Sequence, residues 1–355
     1  MERGAWLIVS SPFLNLQVAK VLLVVGLGFL YTLSTVSFTV LFLRTAQGTA
    51  IKSSASSLKS TGPAAASSKP YSDDTMSFLM KGTVISAAAS IAASRTGNDY
   101  AIPLRTIFHM IATCATFVWG ARLPASFTKV VHPLITSTAL TLGIVRLTGL
   151  ATGASFLDVL KTYKVGSLDL MKAGAGDLLL FLLGPTVVSF SVAMYGRRKL
   201  LKENFPFILT AILVSSVGGL FGTAAFVRAI KLGGSGGGII RLSVLSRNVT
   251  TALSMAIAGI LGGDMSICAV VVVLTGVLGA TFGRTLLNAF GIFDPVARGL
   301  GIGSAAQGLG VASLVPEPDA FPFAAISLVL TAISATVLVS IPAVKESLVS
   351  LAIGA

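Results

Sequence analysis

Apolar residues in this chain gather into runs of about 20, the length of helix needed to cross the hydrocarbon layer of a bilayer. Five runs meet that length without interruption, at residues 21–43, 178–196, 205–227, 265–283 and 320–344. Five more are shorter or punctuated by polar residues, at 75–94, 104–121, 130–149, 240–263 and 296–315. The pattern predicts about ten crossings, each a helix that satisfies its own backbone N–H and C=O groups, as lipid requires. Strands and a soluble domain have no room left. The expected fold is all-α: a polytopic membrane bundle whose broken helices line a polar cavity.

The pattern lapses at residues 44–74, a stretch of Ser, Ala, Gly and Lys with almost no large apolar residue. Such a composition predicts a flexible linker. It divides the chain into an N-terminal membrane helix at 1–43 and a compact transport block at 75–355. Residues 152–176, with Lys161, Lys164 and Lys172, read as an interfacial segment leading into the next span. The opening MERGAWLIVSSP is too short for a signal or transit peptide, so a mature or truncated chain is expected.

Composition strengthens this picture. Hydrophobic residues make up 54% of the 355 and charged ones 11%, against about 25% charged in a soluble domain. Soluble enzyme classes are therefore excluded. The net charge of +13 does not point to nucleic acid, because most Lys and Arg sit between apolar runs. There they set topology and meet anionic headgroups, so the bilayer is the expected partner. The RRKLLK cluster at 197–202 favours a cytoplasm-like face for its side. Cys114 and Cys268 each lie within an apolar run, and His109 and His132 lie in different spans with no carboxylate cluster nearby. Neither a disulfide framework nor a metal site is expected, and no cofactor motif is present.

Candidate chemistry lies where apolar runs are broken. In LLGPTVVSFS at 182–191, Pro185 removes a backbone donor and clashes with the preceding turn. In LSRNVTTALS at 245–254, Arg247 and Asn248 stand beside Thr250 and Thr251 at the start of an apolar helix. In GLGIGSAAQGLGVAS at 299–313, Ser304 and Gln307 sit among five glycines. Broken helices suit small-anion sites, because half-helix N-termini expose free N–H groups and a positive dipole end. The Gly-rich stretch reads equally as a packing surface. Arg247 either anchors an anion or snorkels to the interface, and Arg298 either acts in gating or pairs with Asp294. Asp177, Asp264 and Glu317 are either interfacial charges or carriers of a coupling proton, the latter requiring a pKa raised by desolvation. A small 2-hydroxy carboxylate would place its carboxylate on Arg247 and its hydroxyl among Asn248, Thr250, Thr251, Ser304 and Gln307, with Thr186 and the 303–310 stretch as the facing wall.

The ordered blocks LLGPTVVSFSVAMYGRRKLLKEN, LSRNVTTALSMAI, LTGVLGA, DPVARGLGIGSAAQGLG and PFAAISLVLTAISATVLVSIPAV resemble the LrgB/CidB membrane protein family. The resemblance covers residues 75–355 as an LrgB-like half, with the first helix similar to the end of an LrgA-like half. It implies a transporter of small 2-hydroxy carboxylates, exchanging glycolate and glycerate across the chloroplast inner envelope in photorespiration. It also implies an LrgA-like partner or a homo-oligomer. Bacterial members suggest the alternative of a holin-like pore component or membrane regulator without a specific substrate. The family usually carries a His where this chain has Gln307, so no proton-handling role is expected there.

Overall fold

The computed structural model describes residues 12–50, 70–128 and 131–354. In chain order its α-helices are α1 (Pro12–Ala46), α2 (Asp73–Thr96), α3 (Ala101–Ala121), α4 (Ala125–Thr128), α5 (Pro133–Thr152), α6 (Phe156–Tyr163), α7 (Ala175–Phe181) and α8 (Leu183–Gly196). They continue as α9 (Arg198–Glu203), α10 (Phe205–Ala229), α11 (Gly238–Ser243), α12 (Thr251–Leu261), α13 (Met265–Ala289), α14 (Pro295–Ser313), α15 (Phe321–Ser340) and α16 (Pro342–Ile353). Among the described residues there is no strand. The protein is an all-α polytopic membrane protein.

Among the described residues seven helices are long and apolar enough to span a bilayer: α1, α2, α3, α5, α10, α13 and α15. The other three apolar runs of the sequence are the ones that break. The run at 178–196 is divided at Leu182 into α7 and α8, that at 240–263 is divided by residues 244–250 into α11 and α12, and that at 296–315 becomes α14, which kinks at Gln307. The first break is not where Pro185 suggested it. Pro185 lies in the first turn of α8, where its missing N–H would have no intrahelical partner anyway, so the interruption falls just before it.

Local chemistry sets the helix starts. Ser72 accepts from Thr75 N at 3.1 Å, Asp264 from Ile267 N at 2.8 Å and Asp294 from Ala297 N at 3.0 Å. Each occupies the N-cap and satisfies one of the orphan donors of the first turn. Asp264, exposed at the start of α13, is thus a helix cap.

The chain groups differently from the boundaries its linker suggested. Among the described residues, one compact unit joins 12–50 to 191–354, and a second comprises 70–128 and 131–190. Helix α1 is therefore not a detached anchor. It packs against α10, α13 and α14, with Val24, Val25, Phe29, Leu33, Val36 and Val40 buried. The middle of the expected linker, residues 51–69, lies outside the described residues. In the second unit α3 packs against α2 and α5, and α5 against α6.

Helix α14 is the centre of the first unit, in contact with α1, α10, α13 and α15. Its small residues allow this. A Cβ on Gly303 would overlap the backbone carbonyl oxygen of Ala324 on α15, and one on Gly299 would overlap that of Ala320. Close backbone approach of this kind is how membrane helices gain packing without a hydrophobic driving force. Gly303→Ala is expected to force α14 and α15 apart and to cost about 1–3 kcal/mol, read as a lower midpoint of thermal unfolding in detergent. An unchanged midpoint would show that the contact yields easily.

Candidate functional site

The two breaks in the first unit face each other. In α14, Gln307 has φ 53° and ψ −153°, a region almost reserved for glycine that costs a side chain about 1–3 kcal/mol. The strain is held by the Gln307 side chain, whose Nε2 donates to the carbonyl of Val272 at 2.6 Å and to that of Arg247 at 3.2 Å. From the other break, Asn248 Nδ2 donates to the carbonyl of Ser304 at 3.1 Å. Each break thus supplies an amide that satisfies a carbonyl of the other, and together they form a polar crossing inside an apolar bundle. The Ser304 hydroxyl is engaged with Ser327 at 2.5 Å.

Arg247 leaves this crossing in another direction. It is 1% exposed, so it does not snorkel. Its Nη2 donates to Thr32 on α1 at 3.1 Å, while Nε and Nη1 have no hydrogen-bond partner. Among the described residues no carboxylate pairs with it. A buried guanidinium with unmade bonds is expensive. It lines a cavity of about 220 Å³, with Leu27, Gly28 and Tyr31 of α1 and Gly222, Thr223 and Phe226 of α10. The glycines make the room: a Cβ on Gly28 would overlap the guanidinium, and one on Gly222 would lie 3.0 Å from the Tyr31 ring.

The expected site residues therefore separate into groups. Arg247, Asn248, Ser304 and Gln307 do come together, but only Arg247 faces the cavity. Asn248 and Gln307 stitch the breaks. Thr250 and Thr251 are half-buried at the start of α12 and are not among the cavity-lining residues. Pro185 is exposed on α8, and the Thr186 side chain lies outside the described residues. Thr32 and Tyr31 were not anticipated. Their only signal was Gly28 at i−4 and i−3, which puts all three on one helix face.

The charged candidates are fully engaged. Arg298 does not pair with Asp294. It grips Glu317 through Nε at 2.7 Å and Nη2 at 2.8 Å, and its Nη1 donates to Asn288 Oδ1 and the carbonyl of Ile292, both at 2.8 Å. Arg284 adds a 2.8 Å contact to Glu317. Asp294 caps α14 and binds Arg44 of α1 at 3.0 Å. Glu317 lies in the connection between α14 and α15. Burial pushes its carboxyl up, but the Arg298 and Arg284 guanidiniums outweigh burial and hold it below the usual carboxylate range. Asp177, in the second unit, behaves likewise. Burial opposes its charge, but N–H groups of Val165, Gly174 and Gly166, each at 2.9 Å, hold its carboxyl low. Both shifts run opposite to the raised pKa that a coupling proton needs. Among the described residues no group of His, Cys, Asp and Glu could hold a metal ion.

Comparison with known proteins adds to this geometry. Residues 113–344 match the LrgB-like family. The chain is similar to plastidal glycolate/glycerate translocator 1, chloroplastic, of Arabidopsis thaliana, with 38% identity over 247 residues. That alignment covers 68% of this chain and 47% of the relative, so the chain spans about half the length of that protein. No solved structure matches.

Proposed function

We propose that this chain, which belongs to the LrgB-like family, is a multi-pass membrane carrier of small 2-hydroxy carboxylates. Glycolate and glycerate are its substrates, exchanged across the chloroplast inner envelope in photorespiration. The observation that carries the reading is Arg247, a buried cation that lines a cavity of about 220 Å³ and has two nitrogens without a hydrogen-bond partner. A carboxylate supplies the missing charge together with acceptors for one edge of the guanidinium. The name of the Arabidopsis thaliana relative supplies the substrate class.

The crossing of the two breaks suits a carrier. Chain segments that are not regular helix move more easily than unbroken rods, and the Gln307 and Asn248 bonds join them at points that a moving element can remake. The carrier alternates access by shifting α14 and the 244–250 segment against their neighbours. The carrier works with an LrgA-like partner or as a homo-oligomer. The reading is that of a carrier, not of an enzyme or a holin-like pore.

Counterflow in proteoliposomes tests this. Labelled glycolate entry is expected to saturate, to be competed by unlabelled glycerate, and to accelerate when glycerate is loaded inside. Entry that rises linearly with concentration and ignores competitors would mean a pore and would overturn the reading.

A further inference from the structure

We propose that Tyr31 is the specificity-determining residue that reads the substrate's 2-hydroxyl, making α1 half of the binding site. The proposal rests on the carboxylate-carrier reading and deepens it. A 2-hydroxy acid carries its carboxylate and hydroxyl on adjacent carbons, so their partners must also be neighbours. Arg247 takes the carboxylate. Thr32 positions Arg247 through the 3.1 Å bond to Nη2, and Tyr31 lines the same cavity as Arg247.

The other hydroxyls of the cavity region are committed. Thr223 donates to the carbonyl of Gly219 at 2.6 Å, and Thr32 to that of Gly28 at 3.2 Å while accepting from Arg247. Among the described residues that line the cavity, Tyr31 carries the uncommitted O–H, and it can both donate to and accept from a substrate hydroxyl. Its ring lies against Gly222 of α10, where a Cβ would stand 3.0 Å from Cε1 and 3.2 Å from the hydroxyl oxygen. The missing side chain at 222 fixes where the phenol sits. Leu27 and Phe226 form apolar walls, and Arg247 is the one cation among the lining residues. A second carboxylate on the ligand would therefore face carbon without a partner, so the site selects monocarboxylates.

The test is Tyr31→Phe, which keeps the ring and removes only the hydroxyl. Labelled glycolate uptake by the full chain in proteoliposomes is competed with unlabelled glycolate, acetate or succinate. In the unsubstituted chain, glycolate competes better than acetate and succinate competes poorly. In Tyr31→Phe, the advantage of glycolate over acetate is expected to shrink about 3- to 10-fold, one hydrogen bond's worth, with acetate competition unchanged. An unchanged glycolate-to-acetate ratio would overturn the proposal. So would an equal weakening of both acids, because a merely structural phenol would affect them alike. Loss of saturable carboxylate uptake in the unsubstituted chain would instead bring down the carrier reading itself.

Discussion

Arg247→Met is expected to abolish carboxylate uptake while leaving the folded chain as stable as before, or more so. The two halves of that result come from one fact. Arg247 is 1% exposed and holds one side-chain partner, Thr32, with Nε and Nη1 unbonded. Without a ligand its charge costs stability, and a side chain of similar volume without charge removes the cost. With a ligand the same charge is the anchor, and truncating one partner of a buried, hydrogen-bonded charge pair costs about 2–5 kcal/mol. Uptake should therefore fall by about a hundredfold or more in kcat/KM, while the thermal midpoint in detergent holds or rises. Arg247→Lys should retain part of the activity, since it keeps a charge but loses the guanidinium fork. A large fall in the midpoint of Arg247→Met would make Arg247 a structural residue.

Glu317→Ala is expected to do the reverse and to destabilise strongly. Glu317 neutralises the buried Arg298 through two bonds, at 2.7 and 2.8 Å. Removing it strands a guanidinium that is 1% exposed. Breaking a buried pair in this way costs about 3–5 kcal/mol. The double replacement Arg298→Met with Glu317→Met should recover much of the loss, because neither charge is then left alone. Acid should imitate Glu317→Ala. The Glu317 carboxyl is held below its ordinary range in the folded state, so its contribution is complete above the unfolded value of about 4.3. It is lost as the pH falls through the folded value. A midpoint that is flat with pH through the carboxylate range, or a double variant no better than the single, would contradict this.

The contrast between these two arginines explains what the sequence could and could not disclose. Helix existence was legible because lipid demands about 20 apolar residues at a stretch, and the three runs in which Gly, Pro or polar residues signalled a break, at 178–196, 240–263 and 296–315, are the ones interrupted in the fold. Glycine and unpaired polar groups inside an apolar run betray a break without saying which other break it meets. Gln307 and Arg247 are 60 positions apart, and only the folded chain brings the Gln307 amide to the Arg247 carbonyl. Arg298 misled because Asp294 lies one turn away on the same helix, a spacing at which side chains commonly pair. The Asp294 carboxylate is instead consumed by its own helix cap and by Arg44, 250 residues earlier. Helix α1 is the element whose place the sequence discloses least. A span bounded by a Ser- and Lys-rich stretch looks like a tether, and its 35 residues show no strong polar face. Its role rests on three neighbouring positions, Gly28, Tyr31 and Thr32, too few to stand out from ordinary membrane composition.

The most direct test is a distance. With glycolate labelled in its carboxyl carbon and the protein labelled in its arginine side-chain nitrogens, solid-state NMR dipolar recoupling in a bilayer reads the separation between them. A bidentate carboxylate–guanidinium pair places carbon and nitrogen within about 4 Å. The expected result is strong dephasing that disappears in Arg247→Met and that unlabelled glycerate displaces. Bound glycolate with no dephasing, or dephasing that persists in Arg247→Met, would place the anion elsewhere and contradict the account.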